Sequence, residues 1–117
     1  MQLFTQDYVL DWLRALVLTQ AVEAPIYRFA GKVPWWAALL PSMLTHPFVW
    51  FAFPRLMEAG ASYTQMAAAA ELFAWLVEAA FFRMALGMAL GRGLALSLLA
   101  NGASVCAGLA IHELLGR

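Results

Sequence analysis

Four ionisable side chains stand inside otherwise apolar stretches of this 117-residue chain: Glu23, His46, Glu71 and Glu78. Carboxylates and an imidazole projecting into one space can do three kinds of chemistry. They are the ligand set of a divalent metal such as Zn, Mn or Fe, with Glu23, His46, Glu71 and Glu78 as the candidate ligands. They can bind and release protons or cations, as acids inside membranes do in transporters. Or Glu23, His46 and Glu78 can serve as the acid–base groups of a catalyst acting on a lipid-soluble substrate. Asn101, Ser104, Thr45 and Tyr27 are the candidate supporting groups, able to hydrogen-bond and orient such ligands. No local ligand motif of the HExxH or ExxH kind accompanies them.

These residues must be held by elements that live in lipid. Hydrophobic residues make up 64% of the chain and charged ones 12%, about half the usage of soluble domains. A span needs about 20 apolar residues, so the length accommodates four helices, short loops and little else. The chain therefore reads as one all-α domain over residues 1–117, a four-helix transmembrane bundle with spans at about 8–29, 35–53, 62–86 and 94–115. Seven basic residues balance seven acidic ones, and no basic cluster suggests nucleic acid as a partner. Membrane lipid is the expected partner. A transporter of this size would also need to form a homo-oligomer, because four short helices scarcely enclose a pathway. The single Cys106 has no partner in the chain.

Periodicity decides what each span presents. In the first, Thr19, Glu23 and Tyr27 fall at i, i+4, i+8 and share a face. Arg14 is half a turn out of phase with Glu23, so it snorkels to the interface or pairs with Asp11, while Pro25 is expected to end or kink this helix. Residues 30–34 form a turn, after which Trp35 and Trp36 open the second span as an interfacial belt. Ser42, His46 and Trp50 share a face there, and Pro41 and Pro47 interrupt its hydrogen-bond ladder. Residues 55–60 read as a loop, and Ser62 or Thr64 as the cap of the third span. Glu71 and Glu78 lie two turns apart on that span with Ala67, Ala70 and Ala74 beside them. The fourth carries Ser97, Asn101, Ser104 and Gly108 on one small, polar stripe, and Gly87-xxx-Gly91 and Gly102-xxx-Cys106 have the spacing of close helix contacts.

Counting about 1.5 Å per residue from the middle of each span puts His46, Glu78 and Asn101 each within about two turns of the level of Glu23, with Glu71 about 10 Å from Glu78 towards the opposite surface. The competing reading of the same residues is structural: protonated glutamates and a neutral histidine can join helices without doing chemistry. It weighs most for Glu71, and for His112, which sits near a helix end. Arg28, Lys32, Arg83 and Arg92 at one side outnumber Arg14, Arg55 and Arg117 at the other. By the positive-inside rule this places both termini outside the cytoplasm.

The pattern Glu23-Ala24-Pro25, Leu44-Thr45-His46-Pro47 with Trp50, Glu71 with Glu78, and Ser97-Leu98-Leu99-Ala100-Asn101 with Ser104 and Gly108 resembles a set of small four-span bacterial inner-membrane proteins. The resemblance covers nearly the whole chain, except that Ser42 stands where those proteins often carry Asn. It implies a multi-pass inner-membrane fold with a shared polar centre, and no particular reaction.

Overall fold

The computed structural model describes residues 5–115, and over that range the chain is helical with short connections. Helix α1 spans Gln6–Pro25, α2 Trp35–Phe51, α3 Arg55–Glu58, α4 Tyr63–Leu86 and α5 Leu90–Leu114. Thr5 opens α1 by accepting the amide of Tyr8 at 3.2 Å. Ser62 opens α4 with a full capping box, in which Ser62 accepts the Gln65 amide and Gln65 accepts the Ser62 amide. Gly87 closes α4 at φ 67°, a left-handed conformation that glycine adopts freely.

Proline does not stop α1. The helix runs through Pro25 and then widens into a π-helical segment, Ile26–Ala30, where the Gly31 amide reaches back five residues to the Ile26 carbonyl. Since Pro25 brings no amide hydrogen, the ladder is already broken at this point, and the wider turn lets the chain continue helically with Tyr27 buried. The expected turn at 30–34 is correspondingly only residues 31–34. Pro41 and Pro47 are likewise carried inside α2. Residues 55–58, expected as loop, make the single helical turn α3, and the last helix begins at Leu90, four residues ahead of its expected start. Arg117 lies outside the described residues.

The four long helices close a ring, α1 on α2, α2 on α4, α4 on α5 and α5 on α1, so that α1 faces α4 across the centre. Each neighbour runs antiparallel to the last. Tyr8 at the start of α1 donates to the Trp50 carbonyl near the end of α2 at 2.7 Å, and Gln20 donates to the Leu39 carbonyl at 2.8 Å. Trp75 and Ser97 exchange contacts between α4 and α5: the Trp75 indole donates to the Leu94 carbonyl and the Ser97 hydroxyl to the Trp75 carbonyl.

The distribution of side chains is inverted relative to a water-soluble bundle. Leu13, Val17, Leu40, Met43, Leu72, Leu76, Leu98 and Leu99 face outward, while Glu23, Ser42, Thr45, Glu78, Ser97 and Asn101 are buried. Two helical segments, Trp35–Glu58 and Leu90–Leu114, are long and apolar enough to cross a membrane. An apolar cluster of Ala24, Tyr27, Val33, Ala37, Phe82, Met88 and Leu96 occupies the end where α1 runs into α2 and α4 into α5. All four cations expected on one side belong to that end. Arg92 donates to the Gly31 carbonyl at 2.6 Å, Arg83 to the Met88 carbonyl at 3.4 Å, and Arg28 lies over the rings of Phe29 and Trp35. At the opposite end Arg14 pairs with Asp11 at 3.3 Å, one of the two roles its spacing allows.

Small residues contribute less to packing than their spacing implies. A Cβ on Gly91, Gly102 or Gly108 would meet nothing within 4 Å, Gly87 lies outside the helices, and Cys106 is exposed. The close approach is made elsewhere, at Gly93, where a Cβ would fall 3.3 Å from the Ala79 carbonyl oxygen, and at Gly31, where a Cβ would fall 2.5 Å from Leu96 Cδ2.

Candidate functional site

At the centre, Glu23 from α1 and Glu78 from α4 point at each other and are 2% and 1% exposed. Their carboxyls are within hydrogen-bonding reach of one another. Every one of their four oxygens also accepts a side-chain hydrogen bond. Ser42 donates to Glu23 Oε1 at 2.7 Å, and Ser104 donates to Glu23 Oε2 at 2.5 Å. Tyr27 donates to Glu78 Oε1 at 2.5 Å, Thr45 to Glu78 Oε2 at 2.8 Å, and the Asn101 amide reaches Oε1 at 3.4 Å. Five donors from α2, α5 and the π-helical segment thus converge on two acids, and none of them is a cation.

Local geometry explains who delivers each donor. Ser42 and Thr45 are three residues apart, adjacent along one face of α2, so one reaches Glu23 and the other Glu78. Asn101 and Ser104 repeat that spacing on α5 and divide between the same two acids. The π-helical segment supplies Tyr27, whose ring packs edge-on against Phe82 at 4.7 Å and is thereby held while its hydroxyl meets Glu78. Asn101 is fixed in turn by donating to the Ser97 carbonyl at 2.9 Å. Ser104 has a second acceptor, the Asn101 carbonyl at 3.1 Å, so its single hydroxyl hydrogen can go to Glu23 or to the backbone.

The sequence-predicted residues are therefore sorted by the fold. Glu23, Glu78, Asn101, Ser104, Thr45 and Tyr27 come together, the last four in direct contact with the carboxyls. His46 does not join them. Its Nε2 shares a 3.3 Å hydrogen bond with Thr19, its ring stacks on Trp50 at 6.1 Å, and its Nδ1 is buried without a partner. Glu71 stands apart as well, interacting with Glu23 only through the electrostatic field. Ser42 and Thr19 were legible as face-mates of His46 and Glu23 respectively. Their actual bonds cross between helices, to Glu23 and His46, and helical periodicity alone carries no signal for that.

Beside the pair lies a cleft of about 180 Å³, lined by Thr19, His46, Trp50, Glu71 and both central acids. It is roomy and polar enough for several waters or a small polar molecule. Among the described residues no group of three or more His, Cys, Asp or Glu side chains is arranged to hold a metal ion. No family model, curated protein or solved structure matches the chain.

Proposed function

We propose that this chain is a multi-pass inner-membrane protein of four spans whose Glu23–Glu78 pair binds one proton at mid-depth and exchanges it in the service of a substrate held in the adjoining cleft. The observation that carries this reading is a pair of fully buried carboxyls in mutual contact, with donors on all four oxygens and no Arg or Lys among their partners. Two such groups cannot both ionise without a cation, and sharing one proton leaves a single negative charge that the surrounding hydroxyls stabilise.

The hydrogen-bond pattern favours Glu23 as the proton holder. Glu78 accepts from Tyr27 at 2.5 Å and Thr45 at 2.8 Å, with the Asn101 amide a weak third at 3.4 Å, an arrangement that suits an ionised carboxylate. Glu23 faces Ser104, which can turn its hydrogen to the Asn101 carbonyl and accept the acid proton of Glu23 instead. Proton-coupled binding or transport is better supported than acid–base catalysis by a Glu–His pair, since His46 makes no hydrogen bond to either central acid. The four-span reading of α1 and α4 rests on their outward-facing leucines and on their carboxylates turning inward, where lipid would not solvate them.

Orientation follows from the cations gathered at the end with Arg28, Lys32, Arg83 and Arg92, which becomes the cytoplasmic side, leaving both termini outside. Infrared spectroscopy of the purified protein at neutral pH tests the proton reading. A carbonyl band from one buried carboxylic acid is expected in the wild type, lost in Glu23→Gln and kept in Glu71→Gln. A wild-type spectrum without that band refutes the reading.

A further inference from the structure

Three cavities meet at Glu71: the central cleft, a chamber of about 400 Å³ and a lateral groove of about 470 Å³ between α4 and α5. The chamber is lined by Tyr8, Trp50, Met57, Tyr63, Met66 and Glu71, and the groove runs past Leu98, Val105 and Cys106 on the outer face. Glu71 is the one carboxylate in these walls outside the central pair. No hydrogen bond or ion pair engages it among the described residues.

We infer that the chamber ending at Glu71 is a binding site for a lipophilic organic cation, taken up with its apolar groups against Met57, Met66 and the aromatic rings and its positive charge at the Glu71 carboxylate. Three features of the walls select this class. The volume lies in the range of small-molecule sites. Tyr8, Trp50 and Tyr63 line it with aromatic rings, the groups whose π-systems attract cations, and two methionines offer adaptable apolar surface. The carboxylate has no partner within the chain, so a cationic ligand gains an interaction without displacing one. An anionic ligand would meet the Glu71 carboxylate itself, and a neutral one would leave that acid unpaired. The lateral groove supplies a route from the lipid for a molecule of this kind, because it reaches the same carboxylate past apolar side chains.

The inference takes only the membrane setting from the preceding reading, and it fails separately, since the infrared band of Glu23 is read without any ligand. Binding of methyltriphenylphosphonium to the purified protein, followed by tryptophan fluorescence, is compared with binding of triphenylphosphine oxide, its neutral counterpart of similar size. The cation should bind the wild type about tenfold or more tightly than the neutral compound, a gap set by one charge contact in a partly desolvated site. Glu71→Gln should erase that gap, and Glu71→Asp should keep most of it, with melting temperatures confirming that both variants fold. Equal binding of the two compounds to the wild type, or an undiminished preference for the cation in Glu71→Gln, overturns the assignment.

Discussion

Replacing Tyr27 with Phe removes one hydroxyl and nothing else from the centre of the bundle. The ring stays against Phe82, and Tyr27 is fully buried, so packing changes little. What is lost is a 2.5 Å hydrogen bond to Glu78 Oε1, whose other partner, Asn101, stands at 3.4 Å and is too distant to compensate. A bond to an ionised acceptor contributes about 1.5–3 kcal/mol, against about 0.5–1.5 for a neutral pair. Tyr27→Phe should therefore destabilise the protein by about 2 kcal/mol. Ser104→Ala removes an equally short bond, but from the acid assigned the proton. There the loss is that of a neutral pair, about 1 kcal/mol.

Reversible unfolding in mixed micelles, with the midpoint followed as denaturing detergent is added, measures both. The double variant Tyr27→Phe/Thr45→Val strips two donors from the same carboxylate and should depart from additivity by more than 0.5 kcal/mol. Tyr27→Phe/Ser42→Ala, which touches both acids, should show a smaller departure. If Ser104→Ala proves costlier than Tyr27→Phe, the proton belongs on Glu78 and the assignment is wrong. If both are silent, the carboxyls are not where stability is decided.

Gly31→Ala should destabilise by about 1–3 kcal/mol in the same assay, because its Cβ would sit 2.5 Å from Leu96 and 2.6 Å from the Tyr27 carbonyl. Gly102→Ala, facing open space within α5, should be neutral or stabilise by about 0.5–1 kcal/mol. In a Cys106→Ser background, Lys32→Cys should react with a membrane-impermeant maleimide only after cells are permeabilised, whereas Ala59→Cys at the other end should react in intact cells. The opposite pattern would reverse the orientation. Exhaustive treatment with a chelator should leave the melting temperature unchanged, since no set of three ligands is assembled among the described residues; a drop of several degrees would favour the metal reading.

What the sequence made legible follows helical periodicity, and what it hid depends on neighbours. Spacing along single helices was enough to place Thr19, Glu23 and Tyr27 on one face, to offer Asp11 as one of two roles for Arg14, and to bring Glu23, His46, Glu78 and Asn101 within about two turns of one depth, of which Glu23, Glu78 and Asn101 come together. The same arithmetic could not decide between His46 and Ser42 as the group meeting Glu23. They lie one turn apart on one face of α2, and the choice is made by how far α2 slides along α1, a quantity fixed by packing. The slide observed sets Gln20 beside Leu39 and Tyr8 beside Trp50, and that register brings Ser42 to Glu23 and leaves His46 with Thr19. The π-helical turn was hidden for a related reason. Pro25 announces only that an amide is missing, and whether the chain stops or widens depends on what the continuation gains. Here it gains the burial of Tyr27 and its bond to Glu78 from across the bundle. A break in α1 that reads locally as a weakness is thus the device that lets the first helix send two side chains, Glu23 and Tyr27, into the same buried centre.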